Sequence, residues 1–225
     1  GPNEDFSRYP RPIEADLDAC ESRGVTGVLH PTAEQMYPVG TPASEVNVPA
    51  LTVDLEAAER PGHFAGVCRV VMKLLHIAEP DVACFGRKDL QQLRVIQAMV
   101  ADLNMPIAIL EGPTIREADG LAMSSRNRYL SEDERRSAVG LIKALREGKM
   151  LIEDAGETDP EAVEAAMRRT IEAHHMRVDY AVVRHPLTLT PIDFIDPAVT
   201  GGVAAMVAAR LGAVRLLDNE LIAMP

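Results

Sequence analysis

Three short stretches carry side chains that could do chemistry. FGRKDLQQL (85–93) follows the apolar run DVACF and opens a helical pattern. Gly86 lets a backbone approach a ligand closely, the emerging helix offers unpaired N–H groups to an anion, and Lys88 supplies a point charge suited to phosphate. The same residues also suit an ordinary strand-to-helix turn with a surface lysine and an N-capping Asp89. In ERPGHFAGV (59–67), Arg60 and His63 flank a Pro-Gly turn just before a helix. There a guanidinium and an imidazole could grip a carboxylate or phosphate, or His63 could merely cap the helix. GLAMSSRNRYLS (120–131) ends an apolar run in Ser124, Ser125, Arg126 and Asn127. These are phosphate-compatible donors, although a solvated connection would use the same residue types.

The elements that must position these groups can be read from periodicity. A helix is predicted over 12–23 and a short buried strand in VTGVLHP (25–31). A helix over 63–80, a strand over 81–85, a helix over 88–104 and a strand over 105–110 follow. Such alternation predicts a parallel sheet covered by helices. Beyond about Gly112 the pattern changes. Ser131 with Glu134 forms a capping box for a helix over 132–155, and Thr158 with Pro160 starts another running to about His174. Strand-like runs at 178–185, 201–211 and 213–219 complete an α+β unit. The expected fold class is α/β, with a Rossmann-like domain over 1–114 and a smaller α+β lid over 115–225. The boundary near 114 brings the SSRN stretch close to a domain junction, where pockets form.

Composition narrows the partners. In 225 residues, 47% hydrophobic and 25% charged, there is enough apolar surface for a sizeable core. A net charge of −11 argues against a general nucleic-acid surface, and 4% aromatics with no Trp removes the usual stacking platforms. No apolar run is long enough for a bilayer and the N-terminus lacks a secretory pattern, so the expectation is a cytoplasmic protein without membrane partners. Cys20, Cys68 and Cys84 stand far apart without CxxC spacing and are expected to be reduced, mostly buried thiols. His30, His76, His174, His175 and His185 have no neighbours that suggest catalysis, and the ten methionines are scattered as packing residues. Small-molecule chemistry is the better expectation.

The order and wording of the three clusters resemble one family, the pantoate–β-alanine ligases (pantothenate synthetases). The resemblance rests on NEDFSRYPR (3–11), MYPVG (36–40), RPGHFAGV (60–67), ACFGRKDLQQL (83–93), READGLAMSSRNRYL (116–130) and RLLDN (215–219). It implies use of ATP and Mg²⁺ to form pantoyl adenylate with release of pyrophosphate, then displacement of AMP by β-alanine. It implies ATP contacts from Gly86, Arg87, Lys88, Asp89, Ile115, Met123, Ser124, Ser125 and Arg126, with Lys88, Ser124, Ser125 and Arg126 serving the reaction. It further implies that Gln92, Arg60 and His63 receive pantoate and that two copies pair as a homodimer; which residues would hold Mg²⁺ is left unknown.

Two departures from the family pattern accompany it. Arg87 stands where an acidic residue is usual and Leu90 where an aromatic is usual, so the charge near Lys88 is more positive and nucleotide affinity should differ. The family's opening βα segment, with a HIGH-like histidine pair and a following Asn and Gln, has no counterpart in this chain. The resulting expectation is an incomplete ligase sequence whose own turnover is open. The alternatives are a non-catalytic fragment that dimerises or binds nucleotide, and a nucleotidyltransferase acting on another small carboxylate.

Overall fold

The computed structural model describes residues 9, 11–38, 44–196 and 201–223. Parts of the NEDFSRYPR and MYPVG stretches therefore lie outside the described residues. The chain is α/β, with a parallel strand pair and a separate antiparallel sheet. It begins with α1 (Ile13–Glu21), the one-turn helices α2 (Ala33–Met36) and α3 (Glu56–Glu59), and α4 (His63–Ala78). Strand β1 (Val82–Gly86) leads through a 3-10 turn at Arg87–Asp89 into α5 (Leu90–Asp102), and β2 (Ala108–Gly112) returns parallel to β1. The register places Phe85 opposite Glu111 and Gly86 opposite Gly112. The period-2 alternation of the strands explains their two faces. Ala83, Phe85 and Ile109 pack toward Phe64, Cys68 and Leu75 of α4 and Val95, Ile96 and Met99 of α5, whereas Val82 and Leu110 are exposed.

The second part contains α6 (Glu132–Ala138), α7 (Gly140–Glu153), α8 (Pro160–Ala173) and strands β3 (Arg177–Arg184), β4 (Val203–Leu211) and β5 (Val214–Ile222). The strands pair antiparallel in the order β3-β4-β5. Central β4 shows why its sequence is nearly all apolar and small. Val203, Ala205, Val207 and Ala209 pack toward Leu141, Leu145, Val163 and Met167 of α7 and α8. Ala204 and Met206 face the other way, toward Leu90 and Leu93 of α5. Both faces of this strand are buried, so the alternating polar residues of a one-sided sheet are absent. The helix that follows the Lys88 turn thus rests directly on the antiparallel sheet.

Several expectations need correction. No strand forms at 25–31; Val25, Val28 and Leu29 are about half exposed, and the segment pairs with no strand among the described residues. An apolar run alone does not make a strand without a ladder partner. Helix α1 forms, but it buries none of its residues. The helix expected over 132–155 divides at Val139, where α7 begins on Gly140; a Cβ there would lie 2.7 Å from His174 Cβ and 2.8 Å from Met176 Cε. The Ser131–Glu134 capping box is present, but Asp159 rather than Thr158 caps α8, accepting from the Glu161 N–H at 2.9 Å. Of the cysteines only Cys68 is buried; Cys84 is exposed because it lies on the outward face of β1. No helix among the described residues is long and apolar enough to cross a membrane.

Candidate functional site

The first wall of the site comes from the turn between α3 and α4. Gly62 adopts φ 77°, in the left-handed region that favours glycine, and this turns the chain into α4. Arg60 Nη1 lies 2.8 Å from His63 Nε2. A guanidinium only donates, so Nε2 accepts and the ring proton resides on Nδ1. His63 therefore orients Arg60 instead of capping the helix, whose N-cap Gly62 has no side chain to bond.

The second wall is the turn after β1. Asn219 of β5 donates through Nδ2 to the carbonyls of Arg87 (3.1 Å) and Lys88 (2.7 Å), holding the turn in place from the other sheet. Lys88 Nζ is 3.5 Å from Asp89 Oδ1, and Asp89 makes no side-chain cap bond to α5. The carboxylate stays beside the ammonium, which answers the capping alternative.

The third wall is built by READGLAMSSRNRYL. Its segment 116–122 doubles back, with the Glu117 N–H donating to Leu121 O at 2.8 Å and Gly120 at φ 92°. Arg116 donates to both carboxylate oxygens of Asp218, at 2.6 and 3.2 Å. Asn127 is buried and donates through Nδ2 to Glu117 Oε1 (2.6 Å) and Ala122 O (3.0 Å). Arg135 closes on Glu117 at 2.6 Å and Asp119 at 2.8 Å. Hydrogen bonds from Asn127 and then Arg135 hold the Glu117 carboxyl below the usual carboxylate range, so the brace is ionised at neutral pH. Ser124 Oγ accepts from the Arg126 N–H at 3.3 Å, starting a 3-10 turn over Ser125–Tyr129. The Arg126 guanidinium stands 5.4 Å from the Tyr9 ring centroid, within cation–π range, and Ser125 Oγ bonds Tyr9 Oη at 3.1 Å.

These walls enclose a cavity of about 620 Å³, to which Arg60, Lys88, Asp89, Ser124 and Arg126 all contribute. A neighbouring recess of about 40 Å³ shares Arg60, Lys88 and Asp89 and adds His63 and Gln92. The three sequence clusters therefore meet in space. Gly86, Arg87, Ser125, Ile115 and Met123 line neither cavity. Ile115 and Met123 are exposed and joined by a Met123 N–H to Ile115 O bond of 2.8 Å.

Sequence reasoning gave no role to the residues that join the walls, although RLLDN (215–219) carries part of the family resemblance. Glu56, Arg210, Arg215, Asp218 and Asn219 also line these cavities. Arg215 donates to both oxygens of Glu56, at 2.7 and 2.8 Å, and to Asp179 at 2.7 Å. Arg210 bridges Asp179 and Glu59. Burial works against the Arg215 charge, but its bonds to Glu56 and Asp179 outweigh that and raise its pKa. Burial, then the Glu56 charge, pushes the Tyr180 phenol well above its ordinary value, so Tyr180 remains a donor to Glu56 Oε1 at 2.9 Å. The available signal was charged residues set inside the apolar strand run AVRLLDN. Glu56, Glu59 and Asp218 each pair with an arginine, and Lys88 pairs with Asp89, so the charges that line the cavity are held in fixed opposite-sign pairs. Among the described residues no group of three or more His, Cys, Asp or Glu is placed to cage a metal ion.

Comparisons with known proteins point to one family. The family model described as pantoate-beta-alanine ligase matches residues 1–221. The pantothenate synthetase of Moorella thermoacetica is 48% identical over 223 residues, covering 99% of this chain and 77% of that protein. That of Halorhodospira halophila is 49% identical over 221 residues, covering 97% and 76%. The crystal structure of pantothenate synthetase from Thermus thermophilus superposes with a TM-score of 0.92 at 39% identity, covering all of this chain and 79% of that one. A pantoate-beta-alanine ligase from Francisella tularensis, complexed with beta-gamma ATP and beta-alanine, gives a TM-score of 0.75 at 27% identity, covering 98% and 74%. With a family model spanning nearly its whole length and relatives at almost half identity, the chain belongs to the pantoate–β-alanine ligase family.

Proposed function

We propose that this chain binds ATP and pantoate in the adjoining cavities and joins pantoate to β-alanine through a pantoyl adenylate. The observation that carries this reading is the meeting of Arg60, Lys88, Ser124 and Arg126 around one space of about 620 Å³. A pantoate carboxylate oxygen attacks the α-phosphorus, the bond to the β-phosphate oxygen breaks, and pyrophosphate leaves. The β-alanine amine then attacks the acyl carbon, AMP departs with the bonding electrons, and the nitrogen releases a proton to solvent as the amide forms. Neither step needs an enzyme nucleophile. Both need the reacting atoms held in line and the leaving group's charge matched.

In this reading Lys88 and Arg126 meet phosphate oxygens, Ser124 adds a hydroxyl donor and Asp89 faces the ribose, while Ser125, whose hydroxyl bonds Tyr9 Oη, belongs to it through the turn it opens. Gly86, Arg87, Ile115 and Met123 belong to the same nucleotide-binding reading through their backbone and position. Arg60, His63 and Gln92 share the smaller recess and suit a hydroxy-carboxylate. Mg²⁺ accompanying ATP needs no all-protein cage; phosphate oxygens and water supply most of its shell, and its chemistry would be to neutralise phosphate charge. The division near residue 114 belongs to this reading, with 1–114 holding substrates and 115–225 supplying the lid, and so does a homodimer.

The test is AMP release by this chain with ATP, Mg²⁺, pantoate and β-alanine. Release that requires both pantoate and β-alanine is expected. Release without β-alanine, or with an unrelated carboxylate in place of pantoate, would overturn the assignment. A second reading is nucleotide binding without turnover. The same assay separates the two, because binding with no AMP release is its signature.

A further inference from the structure

Residue 55 has an unusual backbone. Leu55 is buried, yet it adopts φ 58° and ψ −125°, a conformation that L-residues seldom occupy and that persists only where surroundings over-determine it. The determinant is Gln91, 2% exposed in the first turn of α5. Its Nε2 donates to Leu51 O (2.9 Å) and Asp54 O (3.0 Å), and its Oε1 accepts from the Glu56 N–H (2.9 Å). These bonds span both sides of Leu55. One amide side chain thereby holds the chain on either side of its strained residue.

The held segment has consequences at the site. Glu56 opens α3, its side chain is fixed by Arg215 and Tyr180, and Arg60 follows at the end of that single turn with its guanidinium on His63. Gln91 also sits next to Gln92 and just after Lys88 and Asp89. We infer that Gln91 is a positioning residue: it ties the Arg60–His63 wall to the Lys88–Gln92 wall and sets their separation for a small hydroxy-carboxylate. The inference rests on the proposed function for the identity of that ligand. It assigns Gln91 a role distinct from direct contact, acting through the backbone of 51–56.

Two variants test it. Gln91→Met removes all the amide's bonds at similar volume, and Gln91→Glu keeps an acceptor for the Glu56 N–H while offering no donor to the two carbonyls. Isothermal titration with pantoate and, separately, with a non-hydrolysable ATP analogue should show pantoate affinity reduced about tenfold, as expected for a misplaced binding group, with nucleotide affinity within about twofold of wild type. Unchanged pantoate affinity, or equal losses for both ligands, would overturn the inference. Hydrogen exchange on the ligand-free protein tests the clamp itself. Faster exchange across 52–63 with α5 still protected is expected in Gln91→Met, and no change there would overturn the clamp whatever the ligands do. If the wild type bound no pantoate while exchange showed the clamp, the proposed substrate would fail and the tie between the two walls would stand.

Discussion

Lys88 and Arg126 illustrate how little a single residue reveals until its neighbours are known. Each is one cation in a chain of net charge −11, and neither stretch by itself outweighs an ordinary turn. In the folded chain Asn219 holds the carbonyls of the Lys88 turn, and Ser124 and Tyr9 order the segment that carries Arg126. Preorganised cations are worth more to a phosphate than mobile ones, because the ligand does not bear the cost of ordering them. Lys88→Met and Arg126→Ala should each weaken binding of a non-hydrolysable ATP analogue by about tenfold or more, the loss of a charge-assisted hydrogen bond of about 1.5–3 kcal/mol. Titration calorimetry on variants with wild-type circular dichroism would measure it. Affinity unchanged in both variants would remove the phosphate from this part of the cavity.

At the scale of elements, the sequence was informative wherever a local rule acts alone. The Ser131–Glu134 box, the alternation over 63–112 and the three late strands all follow from side chains within a few residues of one another. The segment 25–31 shows the limit, since its apolar residues satisfy a strand pattern but a ladder needs a partner chain. The site was legible as three clusters but not as one cavity. Their junctions are Glu56–Arg215 and Asn219–Lys88, more than 130 residues apart, and no periodicity reports such pairs. Beside the break at Val139 lies a close approach that propensity does not report either, that of Gly140 to His174 and Met176. Gly140→Ala offers a test in which the two effects oppose each other. Helix propensity favours alanine by about 1 kcal/mol. The added Cβ would meet His174 and Met176 atoms at 2.7–2.8 Å, and overpacking costs about 1–3 kcal/mol. Net destabilisation is expected in urea unfolding; a more stable variant would show that α7 tolerates a shift away from α8.

At the scale of the whole molecule, the two sheets are joined through charged and polar groups as well as apolar packing. Leu90 and Leu93 rest on Ala204 and Met206, while Arg215 reaches from β5 to Glu56 and Asp179, whose side chains are only 10% and 7% exposed. Two nearly buried carboxylates around one guanidinium make a junction that is tolerable when complete and costly when broken. Arg215→Met should cost about 3–5 kcal/mol, because it leaves Glu56 without its cation and Asp179 with Arg210 alone. Replacing Glu56 as well, as Glu56→Gln with Arg215→Met, should recover a substantial part of that loss. The amide can still accept from Tyr180, and one buried charge is gone. A double-mutant cycle by urea denaturation measures this coupling directly. Simple additivity of the two substitutions would mean that Glu56 and Arg215 merely sit near each other and that the apolar contact of α5 on the antiparallel sheet holds the halves together by itself. Strong coupling would establish that the ion pair lining the cavity is also what keeps its walls in register, so that the stability of the molecule and the geometry of its site depend on the same residues.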